Sequence, residues 1–351
     1  MNSDNPEIQL MLMLSQDIYG YSKNNVSEKI NWDKFISLAN NNKLLYHVII
    51  KLLNNPKILS NLDIKKSLLP YKKFEEKKLE IFDYTMKMTD KVLKSEPYIL
   101  TKTYRGFDCV THDVDVIVKD MDKAWTLFED EGFKPYLSPN QLSLIVHHDP
   151  LLHLEIHDKI IPGPIQLMDE DLPWKKRRNV EISGVNTDIP TLEADILTYL
   201  GDMQFRTYEI ALGDLLYLYN MSKEANWDII VNQAEKYKWL NALKSSLSIV
   251  NGIHRLLFDK PSPMEYKFPF IERIELNLPY ITPLTPVFRA LMQRRIINIM
   301  KLPAYFSVRL KYNHVILHKW YIDLVFGETA KLMAKIFYFD QWGKKQKAIG
   351  S

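Results

Sequence analysis

The sequence predicts an α+β fold in which helical regions frame a small mixed β-sheet. Apolar residues recur at helical spacing before and after the middle of the chain, as in 31–56 and 191–221. Between these regions, short β-branched runs such as 114–118 are bounded by turn residues, which is typical of strands. The order of helix, strand, strand, helix, strand and strand indicates an α+β or α/β class.

The chain begins with predicted helices that span 7–19, 31–56 and 71–95. In the second helix, apolar residues recur at intervals of three and four, and Asn31 or Asp33 is a suitable N-cap. The third is rich in Lys and Glu and carries its apolar residues on one face, as an amphipathic helix does. These helices form the predicted N-terminal region, 1–65, and lead into the sheet.

The middle of the chain contains the predicted strands, which span 98–101, 114–118, 142–146 and 151–156. An amphipathic helix over 121–132 separates the second and third strands and ends at Gly132, a C-cap signal. The pair Asp149-Pro150 predicts a turn between the last two strands. We expect these elements to form one domain over 66–172.

Helical spacing returns after this domain, over 191–221, 224–238 and 239–258. Proline-rich sequence at 261–287 then separates a last segment that we also expect to be mostly helical. The predicted organisation after the sheet is therefore a helical domain over 173–260 and a C-terminal helical segment over 261–351.

Composition restricts the function only broadly. The 351 residues carry a formal net charge of +3, so overall charge does not mark a nucleic-acid-binding protein. Cys109 is the single cysteine, which excludes an intrachain disulfide and a zinc site built on several cysteines of one chain. The N-terminus lacks a signal-peptide pattern, and no apolar run reaches the length of a membrane span. We therefore expect a cytoplasmic protein.

A group of carboxylates is the strongest chemical signal. Asp113 and Asp115 flank Val114 at the start of a strand, and side chains at positions i and i+2 share one face of a strand. Glu155 is a polar residue within a second apolar strand. If the two strands pair, three carboxylates converge, and their repulsion requires a cation. Oxygen ligands of this kind suit Mg²⁺.

The residues around this group resemble the signature of the nucleotidyltransferase superfamily. That signature has a strand, a Gly-Ser turn that opens a helix, an Arg-Gly pair and a loop into Ser-Asp-x-Asp. Arg105-Gly106 and the run from His112 to Asp115 stand at matching spacing, and Glu155 matches the third carboxylate on a later strand. Where the superfamily has Gly-Ser, this chain has Thr101-Lys102.

The resemblance extends over about residues 8–245, to an uncharacterised bacterial and archaeal nucleotidyltransferase family with a helical N-terminal region. The matching features, in order, are Asn31-Trp32-Asp33, Leu154-Glu155-Ile156-His157, Pro173-Trp174, the helix from Thr191 to Leu200, and Asn226-Trp227-Asp228. Each of these motifs is loose, and their common order along the chain is the stronger signal. The fold that this resemblance implies is a nucleotidyltransferase-type mixed sheet framed by helices.

The resemblance also implies an activity, the transfer of NMP from an NTP such as ATP to an acceptor hydroxyl or phosphate, with release of pyrophosphate. RNA or tRNA is a candidate acceptor. Asp113, Asp115 and Glu155 would be the catalytic ligands of Mg²⁺ or Mn²⁺. The residues expected to hold the triphosphate are Thr101, Lys102, Thr103 and Arg105.

Other functions remain open from the sequence. A chain whose Gly-Ser turn has degenerated is compatible with a non-catalytic protein that keeps the fold and binds nucleic acid. A toxin-like or antiviral enzyme that modifies tRNA is a further candidate with the same chemistry. A zinc site is an alternative, because zinc takes His and carboxylate ligands. The histidines available for it are His147, His148, His153 and His157.

Two basic segments are candidate contacts for phosphate. One is the run from Lys175 to Arg178. The other lies between Asn277 and Tyr321, where no acidic residue occurs and aromatic residues alternate with basic ones. Basic side chains neutralise phosphates and aromatic rings stack on bases, so the second segment predicts a nucleic-acid contact. An anionic membrane surface or a packed helical face are the alternatives. Its basic residues are Arg289, Arg294, Arg295, Lys301, Arg309, Lys311 and Lys319.

Overall fold

The computed structural model describes most of residues 6–262. The gaps within this range are 16–17, 19–29, 56–61, 112, 138–143, 147–150, 159, 161–165, 204–210, 238 and 259. Residues 263–351, which include the predicted basic and aromatic segment, lie outside the described part of the chain. Within the described part, no helix is both long and apolar enough to cross a membrane.

The fold is α+β, as the sequence predicts, and its centre is a five-stranded mixed sheet. The strands are β1 (Tyr98–Thr101), β2 (Asp113–Val118), β3 (Tyr136–Leu137), β4 (Leu144–Val146) and β5 (His153–His157). Their spatial order is β1-β2-β5-β4-β3. β2 and β5 run parallel, and the other neighbouring pairs are antiparallel. β2 and β5 therefore each have a strand on both sides.

Helices lie before, within and after this sheet. Their bounds are α1 (Pro6–Leu14), α2 (Trp32–Asn41), α3 (Leu45–Leu53), α4 (Leu62–Val92), α5 (Met121–Asp130), α6 (Leu192–Asp202), α7 (Leu212–Met221), α8 (Trp227–Lys236) and α9 (Leu240–Phe258). The side chain of Asn31 accepts a hydrogen bond from the amide of Lys34 and caps α2, which agrees with the sequence prediction. Short 3-10 turns follow α4 at Leu93–Ser95 and precede the later helices at Leu172–Trp174.

A two-stranded hairpin of β6 (Arg178–Ile182) and β7 (Val185–Ile189) is an element that the sequence prediction missed. Both turn residues, Ser183 and Gly184, have positive φ values of 56° and 75°. Positive φ values at both central residues are typical of a type I′ turn, whose twist matches that of the two paired strands. β7 lies against β1 and α4. The sheet unit therefore extends beyond the predicted boundary at residue 172.

Two hydrophobic cores organise these elements. One core belongs to the sheet, where Val114, Leu154 and Phe128 pack together on the face covered by α4 and α5. The other core joins helices from both ends of the chain, as Phe35 of α2 packs in the same cluster as Leu216 of α7. The predicted regions 1–65 and 173–260 thus contribute to one helical core rather than to two.

Two helices that the sequence predicts as continuous are interrupted in the structure. The predicted helix 31–56 is divided into α2 and α3 at Asn42 and Lys43, and Lys43 has a φ of 58°. The Asn42 side chain accepts a hydrogen bond from the Leu212 amide, 170 residues away. The predicted helix 191–221 likewise is divided into α6 and α7. Contacts between distant segments, which apolar spacing does not encode, decide the first of these breaks.

Candidate metal centre

Two acidic side chains lie next to each other on the interior strands of the sheet. The parallel register of β2 and β5 sets Asp115 beside Glu155, and each residue is only 4% exposed. The alternating side chains Val114 and Leu154 belong to the apolar core on the other face. Two buried carboxylates on adjacent strands repel each other unless positive charge balances them.

Two histidines of β5 lie on the same face as Glu155. His157 Nε2 is 3.2 Å from Asp115 Oδ1 and 3.6 Å from Glu155 Oε2. His153 Nε2 is 3.3 Å from the second carboxylate oxygen of Glu155, Oε1. Glu155 therefore presents one oxygen to His157 and Asp115, and the other to the partly exposed His153.

Lys102 places an ammonium group beside the same carboxylates. The amide of Thr103 donates a 2.7 Å hydrogen bond to the carbonyl of Thr101, which closes a three-residue turn centred on Lys102. Lys102 has a φ of 56°, in the left-handed region that favours glycine. Its Nζ lies 3.7 Å from Asp115 Oδ2 and 3.4 Å from Asp202 Oδ2. Strained residues of this kind persist only where the surrounding structure holds them.

Helix α6 holds this turn in place. The Tyr199 hydroxyl donates a 3.2 Å hydrogen bond to the carbonyl of Lys102. Burial raises the pKa of Tyr199 well above its usual value, so the hydroxyl stays protonated and able to donate. Asp202 is three residues further along the same helix, and this spacing sets both side chains on one face. Sequence reasoning missed Tyr199 and Asp202, because no local pattern links a helix to a turn about a hundred residues before it.

The two threonines of the turn differ in their hydrogen bonds. Thr103 Oγ1 donates to the carbonyl of Thr101 at 3.0 Å and accepts from the amide of Asp115 at 3.3 Å. Its hydroxyl thus fixes the turn against β2. Thr101 lies directly opposite Asp115 in the antiparallel pair of β1 and β2, so both side chains share one face. Thr101 Oγ1 is buried and has no hydrogen-bond partner among the described residues.

Arg105 connects the loop after β1 to helix α7. Its Nε donates a 2.9 Å hydrogen bond to Asp214 Oδ1, and Lys43 Nζ lies 2.7 Å from Asp214 Oδ2. Burial disfavours the Asp214 carboxylate, but Lys43 and Arg105 more than offset this, so its pKa lies below the usual value. The expected contact of Arg105 with triphosphate is thus replaced by a buried ion pair, and we assign Arg105 a structural role.

Asp113 lies at the edge of the cluster. It is two residues before Asp115 on the same face of β2, partly buried, and its Oδ1 accepts a 3.1 Å hydrogen bond from Thr111 Oγ1. The structure therefore brings together Asp115 and Glu155 of the three expected carboxylates, and adds His157. The superfamily signature has a helix after the turn, whereas residues 102–111 of this chain form bends and loops.

The donors of the cluster fit a divalent metal ion. Within the described residues, one ligand atom each of Asp115, Glu155 and His157 lies within 4.8 Å of the others. Carboxylate oxygens and an imidazole nitrogen are ligands of Mn²⁺, Fe²⁺ and Zn²⁺, and carboxylates alone suit Mg²⁺. The unpartnered hydroxyl of Thr101 on the same face is a further oxygen donor.

The remaining candidates lie apart from this centre or outside the described residues. Of the basic run, Lys175 pairs with Asp171, Arg177 with Asp188 and Arg178 with Asp195, which favours a structural role over phosphate binding. The histidines His112, His147 and His148 lie outside the described residues. The basic residues of the expected nucleic-acid contact also lie outside them: Arg289, Arg294, Arg295, Lys301, Arg309, Lys311 and Lys319.

No protein-family model, curated protein or solved structure matches this chain. The nucleotidyltransferase resemblance therefore stays a prediction that rests on the residues quoted for it.

Proposed function

We propose that this protein is a metal-dependent nucleotidyltransferase that moves NMP from an NTP to an acceptor hydroxyl or phosphate. The observation that carries the proposal is the pair of buried carboxylates, Asp115 and Glu155, on adjacent parallel strands. Carboxylates are seldom buried without a partner or a metal ion, so their position on one face of two interior strands favours a functional site. A nucleotidyltransferase-type arrangement of the mixed sheet is part of this proposal.

The centre offers a separate role to each group. Asp115 and Glu155 would hold the metal ion, and Asp113, at the more exposed end of β2, would hold a second ion or the acceptor. A divalent ion held by these residues would neutralise phosphate charge and lower the pKa of the attacking hydroxyl. Lys102 would contact the triphosphate, because its ammonium lies 3.7 Å from Asp115 Oδ2 and thus beside any phosphate that the metal holds.

The reaction that we propose is a single displacement at the α-phosphorus. The acceptor oxygen forms a bond to the α-phosphorus, and its proton passes to solvent. The bond from the α-phosphorus to the oxygen that bridges to the β-phosphate breaks. Pyrophosphate leaves with that electron pair, so no oxidant or further reactant is needed. The burial of the two carboxylates supports such a step, because electrostatic interactions are stronger where water is excluded.

The turn departs from the superfamily in a way that changes how phosphate would be bound. The described residues between β1 and β2, 102–111, form no helix, so they offer no helix N-terminal amides to the triphosphate. Thr103 and Arg105 are engaged with Asp115 and Asp214. Of the expected phosphate-binding groups, Lys102 and Thr101 are therefore the two that we propose to contact the nucleotide.

A second candidate function is supported by the same lysine. The Lys102 ammonium already offsets part of the charge of Asp115, as a metal ion would. A non-catalytic protein that keeps the fold and binds nucleic acid would retain such an ion pair in place of the metal. This candidate predicts that the protein binds neither divalent metal with NTP nor NTP alone at this centre.

Ligand-induced stabilisation tests the proposal. We expect Mg²⁺ or Mn²⁺ together with an NTP to raise the melting temperature, because a ligand that binds the native state stabilises it. The double variant Asp113→Asn, Asp115→Asn should fold and lose this shift. Asp130→Asn, which changes an exposed carboxylate at the end of α5, is the matched control and should keep it. Equal shifts in all three proteins would refute the site.

A further inference from the structure

We propose that Asp115, Glu155 and His157 form a site for a first-row transition-metal dication, which binds Mn²⁺ in preference to Mg²⁺. The catalytic role of the ion rests on the proposed function, whereas the metal binding itself does not. The inference specifies the chemical class of the ion. It assigns His157 as a ligand of the same ion as Asp115 and Glu155, whereas the sequence names this histidine only as a candidate ligand of the alternative zinc site.

The inner atoms of the cluster converge, and the outer atoms are already engaged. Asp115 Oδ1 and Glu155 Oε2 face His157 Nε2. The second oxygen of Asp115 faces Lys102, and the second oxygen of Glu155 faces His153. Each carboxylate is thus held from behind by a basic group, as the ligands of metal sites are oriented by a surrounding shell of polar partners.

The distances match those between neighbouring ligands of one ion. Metal–ligand bonds of about 2.1 Å place adjacent ligand atoms about 3.0–3.4 Å apart in octahedral or tetrahedral geometry. The His157 nitrogen lies 3.2 Å and 3.6 Å from the two carboxylate oxygens. The second distance exceeds this range, and the three ligand atoms lie within 4.8 Å of one another, so Glu155 moves inward when the ion binds.

Thr101 gives a second and independent indication of a ligand. Its side chain lies on the same face of the sheet as Asp115, its direct cross-strand partner. The residue is 2% exposed, and its hydroxyl has no hydrogen-bond partner within the described chain. A buried hydroxyl without a partner costs about 1–3 kcal/mol, so such a group usually has a water or ion beside it.

The nitrogen ligand determines the choice of ion. Mg²⁺ takes oxygen ligands almost exclusively and gives up its waters reluctantly. Imidazole nitrogen is a better ligand for first-row transition metals than for Mg²⁺, and Mn²⁺ binds most weakly among those metals. A site that prefers even Mn²⁺ to Mg²⁺ therefore tests the nitrogen ligand stringently. The charge is also suitable, because two carboxylates balance a dication while Lys102 offsets Asp202 on the outer side.

Mn²⁺ binding to the full chain without nucleotide tests the inference. We would titrate metal-free protein with Mn²⁺, follow the electron paramagnetic resonance signal of free Mn²⁺, and measure Mg²⁺ by competition. We expect His157→Gln to weaken Mn²⁺ binding by at least about tenfold, since even the loss of an outer partner has effects of that size. Mg²⁺ binding should change much less. His153→Gln removes only the outer partner of Glu155 and should weaken Mn²⁺ binding less than His157→Gln does. Asp130→Asn, at an exposed carboxylate of α5, is the control that should leave Mn²⁺ binding unchanged.

Pulsed electron paramagnetic resonance of the Mn²⁺-loaded wild type requires no variant. It should detect magnetic coupling between the Mn²⁺ electrons and a histidine nitrogen. Unchanged Mn²⁺ affinity in His157→Gln, equal losses in both histidine variants, or no nitrogen coupling would each overturn the inference. Its failure is distinguishable from failure of the proposed function. Mn²⁺ bound through His157 without nucleotide transfer leaves this inference standing and not the proposed function, whereas nucleotide transfer together with unchanged Mn²⁺ affinity in His157→Gln leaves the proposed function standing and not this inference.

Discussion

Replacing Lys102 with glycine and, separately, with alanine distinguishes the backbone strain of its turn from the charge of its side chain. Both variants remove the ammonium group from Asp115 and Asp202. Only glycine also relieves the φ of 56° at this position. The comparison of the two variants therefore isolates the backbone contribution, and the comparison of Lys102→Ala with the wild type reports the loss of the charged side chain.

The magnitude follows from the geometry of the turn. A left-handed conformation costs a non-glycine residue about 1–2 kcal/mol. Glycine avoids this cost, but it also gives the unfolded chain more conformational freedom, which lowers stability by about 0.4–1 kcal/mol. We therefore expect Lys102→Gly to be about 0.5–1 kcal/mol more stable than Lys102→Ala. Both should be less stable than the wild type, because they leave buried Asp115 without its ammonium partner.

Urea denaturation of the two variants measures this difference. The matched control is the pair Lys77→Gly and Lys77→Ala, at an exposed position within α4. There the sign should reverse, since glycine costs a helix interior about 1 kcal/mol relative to alanine. Equal stability of the two Lys102 variants, or the sign found at Lys77, would refute the strained turn.

Nucleotide binding by the same variants tests the role of the charge. We expect both Lys102 variants to lose NTP affinity by about tenfold or more, because hydrogen bonds to charged groups contribute about 1.5–3 kcal/mol. Undiminished NTP binding would show that Lys102 is structural. Absence of NTP binding in the wild type, with stronger divalent-metal binding in the variants, would favour the non-catalytic candidate, in which Lys102 stands in for the ion.

The buried ion pairs of the helical unit lead to two further predictions. Asp214→Asn should lower the free energy of unfolding by about 3–5 kcal/mol, because it leaves the Arg105 guanidinium buried without its charged partner. Lys43→Ala, at a half-exposed side chain, should lower it much less. Similar losses in the two variants would contradict this interpretation. Burial raises the pKa of Asp195 to about 6 despite its pairing with Arg178, whereas an aspartate in an unfolded chain has a pKa of about 3.9. Between about pH 4 and pH 6 the native state therefore binds a proton that the unfolded state does not. The free energy of unfolding of the wild type, relative to that of Asp195→Asn, should therefore fall by up to about 3 kcal/mol from pH 4 to pH 7. Denaturation curves measure this difference, and a rise over that range would show that the pKa of Asp195 is not raised.

The strands that carry the candidate site were accessible from the sequence. The β-branched run around Asp115 and the apolar run around Glu155 are short enough, and bounded by enough turn residues, to predict strands. Their alternation also predicts which side chains share a face. The pairing of the two strands was a condition of the predicted carboxylate group, and the structure has this pairing.

The hairpin from Arg178 to Ile189 was also accessible, although the prediction missed it. Ser183-Gly184 is a turn pair between two short alternating runs, which is the local pattern of a hairpin. Periodicity and turn chemistry therefore contained more of the fold than the prediction extracted.

The contacts that complete the site were not accessible from local pattern. Tyr199 and Asp202 reach the Lys102 turn from a helix about a hundred residues later, and helical spacing predicts the helix but not what it packs against. Asp113 and Asp115 have the same spacing as any strand pair, and their tertiary contacts distinguish them: Thr111 donates to Asp113, whereas His157 and Lys102 contact Asp115. Tertiary packing, which decides both features, leaves no periodic signal in the sequence.

The fate of the α-phosphate tests nucleotidyl transfer most directly. We would incubate the protein with Mn²⁺ or Mg²⁺, total RNA and each NTP, labelled in parallel at the α- and the γ-phosphorus. We predict that the α-label enters an acceptor and the γ-label leaves as pyrophosphate, and that Asp115→Asn abolishes both. Entry of the γ-label into an acceptor would indicate phosphoryl transfer instead. No transfer of either label to RNA or to protein, from any NTP and with either metal, would contradict the proposed activity.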